Sequence, residues 1–281
     1  MFGSEGQERV YSWKLKEICF SANDSKDLQN TNHHCISLGM ESIFMWRRTA
    51  GVGFFLTFFC LFGVVFGESN SSNLPEITKA GDGLYRFGKV LIDRKAKKVS
   101  FPAVSNQING LIEYGVVHET GKIHESLFRT TVRPQIVHTS LLLLKLKPAK
   151  GFFDNLWSDE PKEVDYSNHR VTISVSWELN GTTRELKIEE MALNQKNDQA
   201  MSSDSIVFTG SKFIEGTFMA ESSGSIFAVY ADEDSIFNSS DHDSNNDDVW
   251  YANKSKMPPL ECPVIIRFHL PRDERSPKLK E

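Results

Sequence analysis

The chain has 281 residues, 25% of them charged and 40% hydrophobic, with a formal net charge of −5. Its basic residues form no broad basic surface, which excludes nucleic acid as a partner. The negative charge is local: Asp232 to Asp248 holds seven acids and no Lys or Arg, and the remainder is near neutral.

Residues 1–44 are polar, mixed in charge and without a clear period, and they read as a non-native or disordered extension. Residues 45–67 read as a signal peptide. Arg47 and Arg48 precede an uninterrupted apolar run from Ala50 to Gly67, and Val65 and Gly67 are small enough for a cleavage site. The alternative is a membrane anchor formed by residues 50–67, slightly short of the ~20 residues a spanning helix needs. Phe59 before Cys60 is too bulky for a lipoprotein signal. Because signal peptides begin close to their basic region, Met40 or Met45 is the expected true start. The expected location is periplasmic or secreted, with membrane contact only through the N-terminal segment if it stays uncleaved. Export also removes Cys19, Cys35 and Cys60, leaving Cys262 alone, so no internal disulfide, cysteine zinc site or cysteine-ligated cluster is available.

Residues 68–83 read as a linker rich in Ser and Asn, 84–272 as one domain, and 273–281 as a charged tail. The domain opens with short strands at Gly88–Arg94 and Lys98–Phe101. Gly110–Glu119 and Ile123–Thr131 flank Thr120-Gly121, which predicts a hairpin. Pro134 predicts a helix start, and Ile136, Val137, Leu141 and Leu144 give that helix an apolar face to about Lys147. Val171–Trp177 alternates strictly, and Asn180-Gly181 turns it into Thr183–Ile188. Further short strands are expected at Ile206–Thr209, Gly216–Ala220, Ser225–Ala231 and Pro263–Leu270. The expected fold is therefore α+β, a mostly antiparallel sheet with one principal helix (about 134–147) packed on it. Lys150–Asn168 reads as a long loop whose Phe152, Phe153, Leu156 and Trp157 either dock a partner or fold back onto the core.

Three sets of residues are chemical candidates. In the expected hairpin, one face carries Glu113, Gly115, His124, Ser126 and Phe128, an acid–histidine–hydroxyl set with catalytic potential. Glu125 falls on the other, apolar face, where burial would raise its pKa. Ser126 sits mid-strand rather than on a strained turn, which weighs against a hydrolase nucleophile. His124 and His138, with His118 and a neighbouring carboxylate, are candidate ligands of a divalent metal if the helix lies over the hairpin. Asp247 and Asp248, in the acidic segment Asp232–Asp248, are candidate calcium ligands. That segment otherwise reads as one exposed loop, with Asp234 capping a short helix at Ser235–Phe237. No residue is expected to bind an organic cofactor.

Several blocks resemble one family in order: Val99-Ser-Phe-Pro-Ala-Val with Asn106, Gly110-Leu-Ile-Glu-Tyr114, Gly121-Lys122 with His124-Glu-Ser-Leu127, and His138 with Leu141–Leu144. Thr209-Gly-Ser-Lys-Phe213, Gly224-Ser-Ile226, Asp247-Asp248 with Trp250, and Pro258-Pro259 follow. The chain resembles the YdjY-domain proteins from about Val90 to Pro271. The resemblance implies an exported bacterial protein of no established activity and supplies no catalytic residues. Some relatives carry ferredoxin-like segments, whose cysteines this chain lacks. The reading is an exported envelope binding or accessory module, its partner an envelope protein or small ligand. The alternative is a hydrolase-like or metal-dependent enzyme built on Glu113, His124 and Ser126.

Overall fold

The computed structural model describes residues 74–271. The extension, the signal segment and the charged tail expected at 1–44, 45–67 and 273–281 lie outside them. Among the described residues, no helix is long and apolar enough to cross a membrane.

Four strands open the fold as antiparallel neighbours: β1 (Ile77–Gly81), β2 (Leu84–Phe87), β3 (Val90–Asp93) and β4 (Lys98–Ser105). β1 lies inside the stretch expected as a linker; its Ile77 pairs with buried Phe87, so the folded unit starts before residue 84. β5 (Tyr114–His118), β6 (Ser126–Thr130), α1 (Pro134–Leu143) and α2 (Phe152–Leu156) follow. Next come β7 (Thr172–Leu179), β8 (Thr182–Lys187), β9 (Ala192–Asn194), β10 (Gln199–Ala200), β11 (Ile206–Phe208), β12 (Phe213–Ile214) and β13 (Thr217–Phe218). α3 (Met219–Ser223), β14 (Ser225–Ala228), β15 (Phe237–Ser239), β16 (Trp250–Ala252) and β17 (Pro263–His269) complete it. Strands dominate and most pairs are antiparallel, as expected for the α+β class.

β4 organises the main sheet. One of its edges pairs along its whole length with β17; the other is shared, β3 taking its first half and β6 its second. From β6 the sheet runs through β5, β14 and β15 to β11. From β17 it runs through β7 to β8. The two branches meet again: Arg170 bridges Val207, and the Val171 amide donates to the Ile206 carbonyl at 3.0 Å, joining β11 to the residues just ahead of β7. The enclosed interior carries a run of aromatic contacts from Phe101 to Phe268 (5.5 Å), Phe237 (4.8 Å) and Phe208 (5.3 Å), then to the His138 ring of α1 (5.6 Å). Such contacts add to the burial of large side chains, which dominates the stability of a core this size.

α1 begins where proline suits a first turn, and Ile136, Val137 and Leu141 are buried as expected. It stops at Leu143 instead of about Lys147, because Lys145 adopts φ 67° and Pro148 lies just beyond. The β7–β8 hairpin forms around Asn180 and Gly181, both at positive φ as a two-residue turn demands. In the 150–168 loop, Phe152 folds back against Ala149, Tyr166 and Val207, while Trp157 stays 47% exposed.

The hairpin expected around Thr120-Gly121 does not form. The turn itself exists, with the Gly121 amide donating to the His118 carbonyl at 2.8 Å. The chain then runs back without pairing, passes through a 3-10 turn at Ile123–Glu125, and enters β6 parallel to β5, with Tyr114 opposite Ser126 and Val116 opposite Phe128. The return is shorter than the about a dozen residues a parallel connection usually takes. Asn106 fastens it by donating to the Ile123 carbonyl (2.5 Å) and the Ser126 carbonyl (2.9 Å). Gly121 packs against Gly224, where a Cβ would lie 2.8 Å from the Ser223 carbonyl.

Candidate functional site

The parallel register rearranges the residues the sequence had grouped. Ser126 is fully buried, and its hydroxyl donates to the Lys122 carbonyl at 2.5 Å, closing the return between the strands. A serine so held fastens backbone and is shut off from any substrate. His124 lies in the 3-10 turn rather than a strand; its side chain is exposed, and its Nε2 stands 3.7 Å from Glu125. Gly115 opens no space above Ser126: a Cβ there would lie 2.3 Å from Phe227 Cδ1. His138 is sealed in the interior between Phe208 and Phe218, ring centroids 5.6 and 4.9 Å away, and burial pushes its imidazole down to about 3. It therefore packs as a neutral ring, in surroundings unlike those of exposed His124. Among the described residues, no group of three or more His, Cys, Asp or Glu is arranged to hold a metal ion.

The acidic segment is not one exposed loop. Its middle is β15, buried and paired with β11 and β14, and the short helix expected at Ser235–Phe237 is absent because Phe237 begins that strand. The sequence concentrates acids there, but the fold supplies donors to them. Buried Asp241 accepts from the Ser202 amide (2.6 Å) and from His242 Nδ1 (2.6 Å). Asp243 accepts from Asn194 (2.7 Å) and Lys196 (2.9 Å), which hold its carboxyl below the usual range. Asp247 and Asp248 are exposed.

Two polar assemblies remain. The first lies where the return meets β14. Lys122 Nζ donates to the Tyr114 hydroxyl at 2.6 Å, and that hydroxyl donates to Asp232 at 2.9 Å. Burial, then the Asp232 carboxylate, pushes the buried phenol above its ordinary range. Burial, then the charge of Glu125, raises Glu113. The Tyr114 hydroxyl is engaged on both sides, so this chain of bonds fixes the return against the sheet.

The second assembly is on the outer face of β8, β7, β17 and β4. In an antiparallel ladder directly opposed residues share a face. One row across the strands reads Lys98, His269, Thr172; the next Ser100, Arg267, Ser174, Lys187; the next Pro102, Ile265, Ser176, Glu185. A shallow groove of about 440 Å³ is lined by Thr172, Ser174, Glu185, Leu186, Lys187, Glu190 and His269. At its centre the Ser174 hydroxyl and His269 Nε2 are 2.9 Å apart. Arg267 donates to the Ser176 hydroxyl at 2.6 Å and stands 3.8 Å from Glu185. Burial, then the charge of Lys98, lowers the His269 pKa; Glu185 opposes this and Arg267 adds to it.

This face offers hydroxyls, both signs of charge and a titratable ring, which is binding chemistry. As a hydrolase it is poorly built. Ser174 is 7% exposed on a strand paired along both edges, so the surrounding amides are committed to the ladder and give no oxyanion hole. Sequence reasoning missed the site. The alternation of Val171–Trp177 does place Thr172, Ser174 and Ser176 on one face, but nothing local says that His269 and Arg267 are laid beside them.

No curated protein and no solved structure matches the chain. The family model of the YdjY domain matches residues 90–269, from the start of β3 to the end of β17. That span takes in both polar assemblies and every strand of the main sheet except β1 and β2. The chain belongs to the YdjY-domain family.

Proposed function

We propose that this is an exported binding or accessory module of the cell envelope, and that it seats its ligand in the groove over Ser174 and His269. The arginine pair and apolar run at 47–67 support export. The observation that carries the binding reading is the groove itself: a concave, open stretch of sheet whose hydroxyls and charges converge on buried Ser174 and half-buried His269. Its volume suits a small polar molecule or one segment of a larger one. The Ser174–His269 contact is also what an enzyme reading has in its favour, but the mid-strand position of the serine favours recognition over catalysis.

The test uses the full-length protein and soluble glycan and peptide fractions of the envelope, with binding read by ligand-observed NMR. Thr172→Trp fills the groove beside the Ser174–His269 pair while keeping both of those residues. The expected result is binding of one fraction to the wild type and at least tenfold weaker binding to Thr172→Trp. Equal binding to both proteins, or none to either, overturns the proposal.

A further inference from the structure

Resting on that reading, we infer that the part of the ligand held over Ser174 is an oxyanion, a carboxylate or a phosphate, and that it binds together with a proton.

The argument begins with the surroundings of Ser174. In register it stands between Arg267 of β17 and Lys187 of β8, and its hydroxyl touches His269. Three groups able to carry positive charge thus surround one hydroxyl, with Lys98 of β4 opposite His269 as a fourth. The nearby acids have partners of their own. Glu185 of β8 lies beside Arg267, and Glu190 accepts the Lys187 amide at 3.2 Å and faces Lys256 at 4.0 Å. β7 contributes the hydroxyls of Thr172, Ser174 and Ser176 to this face, and toward its far end Glu178, which accepts from the Thr183 hydroxyl. Around Ser174 the cations Arg267, Lys187 and Lys98, with the titratable His269, outnumber the two groove carboxylates Glu185 and Glu190, and no aromatic ring from these rows offers a stacking platform for an uncharged sugar or base.

Proton linkage follows from the serine–histidine bond. When His269 is neutral with its proton on Nδ1, Nε2 accepts, and the Ser174 hydroxyl must donate inward to the ring. Protonation puts a hydrogen on Nε2, so the ring donates and Ser174 accepts. The serine hydrogen is then free to turn outward to an oxyanion, which also sits beside a new positive charge. Burial, Lys98 and Arg267 all hold the free ring toward its neutral form; an arriving oxyanion offsets the two cations. Anion and proton therefore each strengthen the binding of the other by the same factor.

The experiment follows the His269 ring resonances of the full-length protein through a pH titration. The additions are inorganic phosphate, acetate or uncharged acetamide, at ionic strength matched with chloride. Phosphate or acetate is expected to raise the His269 pKa, and acetamide to leave it in place. A response to phosphate alone identifies a phosphoryl seat; a response to both identifies a general oxyanion seat. Affinity for the responding anion should fall with rising pH by up to tenfold per unit. His269→Gln keeps a partner for Ser174 but cannot titrate, and its residual binding should be independent of pH. The inference is overturned if neither anion moves the His269 titration, or if His269→Gln keeps the wild-type pH dependence. An envelope ligand that Thr172→Trp excludes, yet that binds the wild type equally at pH 5.5 and 7.5, removes the oxyanion seat and leaves the binding-module reading standing.

Discussion

Glu189 shows how far one side chain can be set against its surroundings. It lies in the 3-10 turn after β8, is 1% exposed, and neither carboxylate oxygen has a well-formed hydrogen bond. Burial pushes it up to about 6; its own backbone amide, Lys187 and the Asp204 amide only partly oppose this. The folded state thus holds this proton more tightly than the unfolded chain does. Stability is greatest below the ordinary carboxylate pKa, falls as the pH rises toward about 6, and stays lower beyond. The size of the effect is about 2 kcal/mol at neutral pH. Glu189→Gln should therefore be more stable than wild type at pH 7 by roughly 1–2 kcal/mol and about equal to it at pH 4, by urea unfolding. A variant that is less stable at pH 7 would show that the carboxylate has a partner. No local signal marks this residue: Ile188-Glu-Glu-Met191 names two glutamates, and only the fold decides which one is buried.

Among the elements, what could be read depended on whether a pairing is local. β7 and β8 were legible because strict alternation and Asn-Gly lie within one short stretch. The turn at Thr120-Gly121 was legible too, but its consequence was not. Whether β6 folds back on β5 or runs beside it depends on β4 taking one edge of β6 and on α3 ending against the return. Acid content failed as a guide to the 232–248 segment for the same reason: the donors come from Ser202, Asn194, Lys196 and Tyr114, far away in sequence. The return between β5 and β6 gives a direct test. A methyl group at Gly121 would meet the Ser223 carbonyl at 2.8 Å and Gly224 Cα at 3.1 Å, backbone on backbone. Gly121→Ala should cost about 1–3 kcal/mol by denaturant titration, whereas Gly181→Ala, whose Cβ meets nothing, should suffer only the strain of its positive φ, about 1 kcal/mol. Equal losses at the two positions would mean that the Gly121–Gly224 contact is looser than described.

At the scale of the molecule, two buried groups shape the response to acid with opposite signs. His138 is held down to about 3, so its contribution is fully present above the ordinary imidazole pKa and is lost as the pH falls through the acid range. That loss is at most about 1.4 kcal/mol per pH unit. Glu189 gains stability over the upper part of the same range, as its proton returns. The two slopes nearly cancel between about pH 6 and 4.5; below that only His138 continues to act. The expected profile is a shoulder followed by a steep acid limb. His138→Phe, which keeps the aromatic contacts to Phe208 and Phe218, should flatten that limb relative to wild type when stability is followed against pH. An unchanged limb would assign acid unfolding to the carboxylates alone.

β17 is the last strand of the described chain, yet it is flanked on both sides, by β4 and by β7. A chain that has emerged from its point of synthesis only as far as β16 has two open edges where the middle of its sheet should be. It has no means of sealing its aromatic interior, because Phe268 has not arrived. Completion of the sheet therefore waits for β17, and the wait is long in loop-closure terms because Lys98 must be joined to His269. Such a polypeptide remains slack until β17 is added between β4 and β7, and becomes rigid only then. Chains stopped before Pro263 should be rapidly degraded by protease, and adding a separate peptide of residues 263–271 should restore resistance. Resistance in the stopped chain alone would mean that the rest of the sheet holds without its central strand.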